Sequence, residues 1–166
     1  VHALVIFEPI ELTSRMVLNT IPPVSALQIV IDTNVFVAAL RSQYGASYKL
    51  FMLLESQKFE FNLSVPLAIE YEEAAKRLVG KKTALKAADI DDILDYLYSL
   101  ANRRKVYYLW RPFLTDPKDD MILELAVSAG CGIIVTYNKA DFEGVKQFGI
   151  RLMTALEFLR EIGELS

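Results

Sequence analysis

At 166 residues and 53% apolar, with 18 Lys and Arg against 21 Asp and Glu, the chain is long enough to bury a proper core without disulfides or a structural metal, and its net charge is −3. That balance excludes a nucleic-acid binder that works by a bulk positive field, so any contact with nucleic acid must be local. A single cysteine, Cys131, and a single histidine, His2, exclude an internal disulfide, a Cys/His zinc site and hydrolysis by a histidine base; hydrolytic chemistry would have to run on carboxylates and metal.

In chain order, residues 1–27 read as an N-terminal extension of unassigned role, with Met16 as a candidate natural start. Pro22-Pro23 separates them from the first clear strand, and Glu8, Pro9 and Glu11 break the opening VHALVIFEPIEL, so neither a signal peptide nor an anchor is expected. The domain is expected over 28–166. Its first strand is QIVID (28–32), an apolar run that ends abruptly in a carboxylate. Helices follow over 33–41 and 46–56, punctuated by Gly45, then strand FEFNL (59–63). A third helix over 66–79 has Pro66 in its first turn and Gly80 beyond its end.

A fourth helix, 87–102, places Ile90, Ile93, Leu94, Leu97 and Leu100 on one stripe, and KVYYL (105–109) reads as the third strand. The fifth helix opens at Asp116-Pro117, where Asp suits the cap and Pro the first helical position, and stops at Gly130. Strands GIIVT (132–136) and IRLM (150–153) and a closing helix over 154–162 complete the chain. Strands alternating with helices imply an α/β fold whose parallel sheet is covered on both faces, because parallel neighbours need crossover connections. Such sheets bind ligands beyond the carboxyl ends of their strands, which points to Asp32 after the first strand and to Thr136, Asn138 and Asp141 after the fourth.

Each acidic candidate has an ordinary alternative. Asp32 can cap the following helix, with Thr33 and Asn34 as turn formers, and capping is compatible with holding a metal. Glu70 lies beside the apolar stripe Leu67, Tyr71, Ala74 and Leu78, where a carboxylate needs a compensating charge or must reach water; Glu73, spaced to meet Lys76 and Arg77, reads as solvated. Asp119 stands where a carboxylate can complete a capping box, yet it shares the inward face with Ile122, Ala126 and Ala129, and Asp120 competes for its role. Asn138 and Asp141 also suit a turn. The run DIDDILD (89–95) lacks the glycine and terminal glutamate of a calcium loop and reads as a solvated helix face.

Taken together and in this order, IVIDTNVFVAAL, LSVPLAIEYEEAAKRL and TDPKDDMILELAVSAGCGIIVTYNKADF resemble the PIN-domain family of metal-dependent ribonucleases, in particular its branch of bacterial and archaeal toxins of toxin-antitoxin pairs. The resemblance covers residues 28–160. It implies a three-layer α/β/α sandwich with a central parallel sheet and a carboxylate cluster that binds Mg²⁺ or Mn²⁺. The family's acidic positions fall on Asp32, Glu70, Asp119 and Asp141, and its supporting polar positions on Asn34 and Thr136. Asn138 stands where some members have Asp, and Asp120 is the neighbour of the third acid. An RNA substrate, an antitoxin partner and a homodimer are what the resemblance implies, and the lone Cys131 fits a reducing cytoplasm.

Cations near the site would guide RNA locally. Lys118 and Lys139 are nearest in sequence to the acidic positions; Lys76, Arg77, Lys81, Lys82 and Lys86, and Arg103, Arg104 and Lys105, form two further basic runs that equally suit a solvated surface. Phe36, Tyr44, Tyr48 and Phe51 either offer an apolar surface to a protein partner or pack inside. Three other functions remain as alternatives. A phosphohydrolase with Asp32 as nucleophile, like haloacid-dehalogenase enzymes, meets Asn34 where those have a second Asp. A nucleotide-cofactor site lacks a Gly-rich fingerprint after the first strand. A PIN-like RNA- or protein-binding module without activity would be expected to have lost some of the four acids.

Overall fold

The computed structural model describes residues 26–81, 83–107 and 113–166. Five strands, β1 (Leu27–Ile31), β2 (Phe59–Ser64), β3 (Asn102–Arg104), β4 (Ile133–Val135) and β5 (Arg151–Met153), form one sheet in the order β3-β2-β1-β4-β5, every neighbouring pair parallel. The α-helices among the described residues are α1 (Thr33–Arg41), α2 (Ala46–Met52), α3 (Val65–Lys76), α4 (Ala87–Leu100), α5 (Pro117–Ser128) and α6 (Ala155–Glu161). The fold is thus the expected α/β/α sandwich. Apart from residues 26 and 27, the proposed N-terminal extension lies outside the described residues.

The strand order explains the layers. From β1 to β3 the chain steps one way across the sheet, and from β3 it crosses over β2 and β1 to β4 and then β5. Right-handed crossovers therefore put α1 to α4 on one face and α5 on the other. Ile29, Val30 and Ile31 are completely buried, as a central strand covered on both faces requires. On the first face Phe36 stacks on Tyr71 with centroids 4.6 Å apart, Tyr71 lies parallel to Phe61, and Phe158 of α6 meets Phe59 edge-on at 5.2 Å. Burying an aromatic such as Phe36 contributes about 1.5–3 kcal/mol. The Tyr71 hydroxyl donates to Ile31 O at 2.5 Å, which ties α3 to the last residue of β1.

Local chemistry sets most boundaries as expected. Asp32, Ser64, Asp116 and Thr154 cap α1, α3, α5 and α6, and Thr154 with Glu157 completes a capping box. Several boundaries differ. The second helix ends at Met52 and continues only as a 3-10 turn, Leu54–Ser56, because Gln57 adopts a left-handed φ of 59°. The third ends at Lys76 rather than 79. The third strand is the clearest correction: it is Asn102–Arg104, not 105–109, of which 108 and 109 lie outside the described residues. It is a polar edge strand fastened by side chains, Asn102 Nδ2 donating to Glu60 at 2.6 Å and Arg104 Nε to Asn62 Oδ1 at 2.8 Å, so apolar periodicity does not reveal it. The acidic run 89–95 is indeed a helix face with Asp89, Asp91, Asp92 and Asp95 exposed. Among the described residues no helix is long and apolar enough to cross a membrane.

Candidate active site

The direction of strand stepping reverses between β1 and β4, and at such a switch point the connections leave to opposite faces and open a crevice at the strands' carboxyl ends. Asp32 and Thr136 occupy its two lips. Asp32 is only 5% exposed. Its Oδ2 accepts from Thr136 Oγ1 and from Asn34 Nδ2, both at 2.6 Å, while its Oδ1 receives only a long bond of 3.4 Å from Asn34 N. Capping and site-building are therefore shared between the two oxygens. Burial raises the proton affinity of Asp32, and the bonds from Thr136 and Asn34 oppose it.

Asn34 and Thr136 do what supporting residues should. Asn34 Nδ2 also reaches Thr136 Oγ1 at 3.2 Å, and its Oδ1 accepts from Tyr137 N at 3.2 Å, so one amide spans both strand ends. Thr136, fully buried, accepts in turn from Asn138 N at 2.9 Å. Asn138 takes part through its backbone, and its exposed side chain does not cap the 3-10 turn Lys139–Phe142 that carries Asp141.

Glu70 on α3 is half-buried, and its Oε2 is buried without a hydrogen-bond partner. Burial and the charge of Asp32 both raise its proton affinity, against the nearby Thr33 hydroxyl and the charges of Lys118 and Arg77; the Thr33 hydroxyl is likewise buried without a hydrogen-bond partner. Asp119, in the first turn of α5, is pushed up to about 7 by burial first and then by Asp32, Asp116, Asp141 and Glu70. Three carboxylates from distant parts of the chain, Asp32, Glu70 and Asp141, thus act on one side chain together with the nearby Asp116. They are nevertheless loosely spaced, for among the described residues no three His, Cys, Asp or Glu side chains stand close enough to enclose a single ion.

Other expected positions behave differently. Asp120 is buried, but its carboxylate turns to the 113–114 backbone, accepting from Leu114 N at 2.8 Å and from Phe113 N at 3.3 Å. It braces that segment instead of supporting the acidic cluster. Lys118 is exposed and its charge reaches Glu70. Lys139 is paired with Glu157 at 2.5 Å, and chiefly through that bond Glu157 is held down at about 2. Lys76 bonds Glu72 at 2.5 Å, not Glu73, and stands 3.6 Å from Asp91; Lys82 lies outside the described residues. The sequence was uninformative about Thr33 and the Tyr71 hydroxyl. Their only signals are adjacency to Asp32 and, for Tyr71, a polar tip on an otherwise apolar stripe.

A family model described as the PIN domain matches residues 28–140, about two thirds of the chain. The chain belongs to the PIN-domain family. PIN domains are generally nucleases and typically use divalent metal ions. No curated protein matches the chain. Among solved structures, VapBC2 from Rickettsia felis bound to a DNA fragment from their promoter is similar with a TM-score of 0.55 at 15% identity, over 77% of this chain and 98% of that one. At that identity the likeness is one of fold, and it agrees with the PIN architecture derived above.

The donor set of this PIN domain suits a hard divalent cation. The candidate ligands are carboxylates, Glu70 Oε2 is buried without a hydrogen-bond partner, and burial together with neighbouring anions raises the proton affinity of Asp119, which a cation would offset.

Proposed function

We propose that the chain is a metal-dependent endoribonuclease that hydrolyses RNA phosphodiester bonds, with Asp32, Glu70, Asp119 and Asp141 as its catalytic carboxylates. The observation that supports this reading is the geometry at the switch point, where Thr136 and Asn34 hold the buried Asp32 carboxylate and Glu70 Oε2 is buried without a hydrogen-bond partner; the raised proton affinity of Asp119, due first to burial and then to the charges of Asp32, Asp116, Asp141 and Glu70, accords with it. When bound, Mg²⁺ or Mn²⁺ would make water a nucleophile near neutral pH and offset charge on the leaving oxygen. Asp32, Asp119 and Asp141 would hold the ion, directly or through water. Thr136 and Asn34 keep the Asp32 carboxylate in one orientation. Glu70, with its raised proton affinity, is suited to orient the attacking water and accept its proton. Lys118 is the better placed of the two expected phosphate contacts, since Lys139 is already paired.

A toxin of a toxin-antitoxin pair, working in the cytoplasm, is the biological role this chemistry suits. Phe36, Tyr44, Tyr48 and Phe51 line a groove of about 1040 Å³ between the end of α1, α2 and α4. Phe36 is core, whereas Tyr44 is 91% exposed. We assign the groove to an antitoxin, and a homodimer remains part of the proposal. The loose spacing of the acids favours one second reading, a catalytically silent PIN-like RNA- or protein-binding module.

The test is cleavage of a structured and an unstructured RNA in Mg²⁺, Mn²⁺ or chelator by the wild type and Asp32→Asn. Metal-dependent cutting that the substitution abolishes, with folding intact, supports the nuclease. Equal activity in the variant removes this mechanism, and inactivity of both favours the binding module. Asn also caps helices, so the variant is expected to fold.

A further inference from the structure

Beside the carboxylates lies a second concavity, of about 330 Å³, lined among others by Val65, Pro66, Lys105, Val106, Tyr107 and Met121. Continuing the register of β1 and β2 by three residues sets Ser64 opposite Asp32, and Ser64 pairs with Arg104 on β3. Two strand spacings of about 4.8 Å therefore separate the end of β1 from the end of β3. The concavity opens on the same rim as the acids, toward the β3 edge.

Its chemistry is unlike that of the acidic crevice. Val65, Pro66, Val106 and Met121 make an apolar slot, and the first turn of α3 brings the positive end of a 12-residue helix to it. Tyr107 stands at the edge with 77% of its surface exposed, an uncovered aromatic beside an apolar slot. Lys105 is exposed and in no ion pair among the described residues, whereas Arg104 is committed to Asn62 and forms wall. Glu124 is the acidic part of the lining and is buried, so the exposed cations of the lining are Lys105 and the committed Arg104.

We infer that this concavity is a nucleobase subsite for single-stranded RNA, in which Tyr107 stacks on the base of a nucleotide flanking the scissile phosphate and Lys105 contacts its phosphate. The inference rests on the nuclease reading, because it places the strand across the carboxylate rim. An apolar slot with an aromatic and one cation fits a base and its phosphate, and stacking on an aromatic accepts any base. Phosphate guidance by the β3 edge also replaces the contribution that Lys139, tied to Glu157, does not offer.

The test measures binding of a short, end-labelled single-stranded oligoribonucleotide to the full chain carrying Asp32→Asn, in Mg²⁺, across a salt series. Tyr107→Ala should weaken binding roughly tenfold and Tyr107→Trp should restore it. Lys105→Ala should weaken binding and reduce the slope of log affinity against log salt by about 1. An oligomer with one abasic position at the subsite should no longer respond to Tyr107→Ala. Both side chains are exposed, and circular dichroism checks that the variants fold. Unchanged affinity in Tyr107→Ala and Lys105→Ala overturns the subsite while metal-dependent cutting by the wild type keeps the nuclease. A wild type that neither binds nor cuts single-stranded RNA removes both.

Discussion

Thr136, at the end of β4, donates its hydroxyl hydrogen to Oδ2 of Asp32, at the end of β1, across 2.6 Å of space and 104 residues of chain. The same hydroxyl oxygen accepts from Asn34 Nδ2 and Asn138 N, so it is the common point of the lip. Thr136→Val keeps the shape and leaves three polar groups short of a partner. It should destabilise the fold by about 2–3 kcal/mol, measured by urea unfolding at pH 7, while Thr136→Ser stays within about 1 kcal/mol of wild type. A neutral Thr136→Val would show that this hydroxyl is dispensable.

Asp119 makes stability depend on pH in an uncommon direction. Its folded value of about 7 lies above the ordinary 3.8, so between those values the folded protein holds a proton that the unfolded chain has released. Stability then falls as pH rises through that window, and the loss is complete above about 7. Asp119→Asn removes the effect. With chelator present its Tm should match wild type near pH 3.5 and exceed it at pH 8 by about 2–4 °C, taking on the order of 1 kcal/mol for a partly exposed, screened group. Identical melting curves at pH 8 would contradict the cluster.

The adjacent acids Asp119 and Asp120 should separate cleanly. Asp120→Ala strips the Phe113 and Leu114 amides of their acceptor and should cost about 3 kcal/mol in chemical denaturation. Asp119→Ala should cost no stability at neutral pH yet weaken the melting-temperature increase produced by Mn²⁺. The reverse pattern would exchange their roles.

Tyr71→Phe removes the bond to Ile31 O without opening a void. A loss of about 1–2 kcal/mol is expected in urea unfolding, because a buried carbonyl is left short of a donor. Tyr71→Ala, which also empties the stack between Phe36 and Phe61, should cost about 3–5 kcal/mol. Equal costs for the two variants would refute the packing account.

These residues also show what a linear chain discloses. β1 and β4 were legible because strands buried on both faces are written as unbroken apolar runs, and α5 because Asp116-Pro117 carries its own start signal. β3 was not: its adhesion lies in Asn102 to Glu60 and Arg104 to Asn62, pairs some forty residues apart. Asp32 and Thr136 could be singled out because strand ends at a sheet's rim are positions of known meaning, and Asn34 because it falls on a supporting position of the family the chain resembles. Asp119 could be favoured over Asp120 for the face it shares with Ile122, Ala126 and Ala129, but the turn of Asp120 toward the 113–114 backbone was not legible, since it depends on where that segment comes to rest. The pairing of Lys139 with Glu157 was equally invisible, because it depends on where α6 comes to rest.

The crossing from β3 over to β4 has a consequence for biosynthesis. During translation β1 acquires β2 on one flank early, but its other flank stays bare until residues 133–135 have left the ribosome. Asp32 is made long before Thr136 and Asp141 can join it. A chain that stops before residue 133 lacks the strand that closes the centre of the sheet, so whatever this rim does begins only after β4 has emerged and paired with β1.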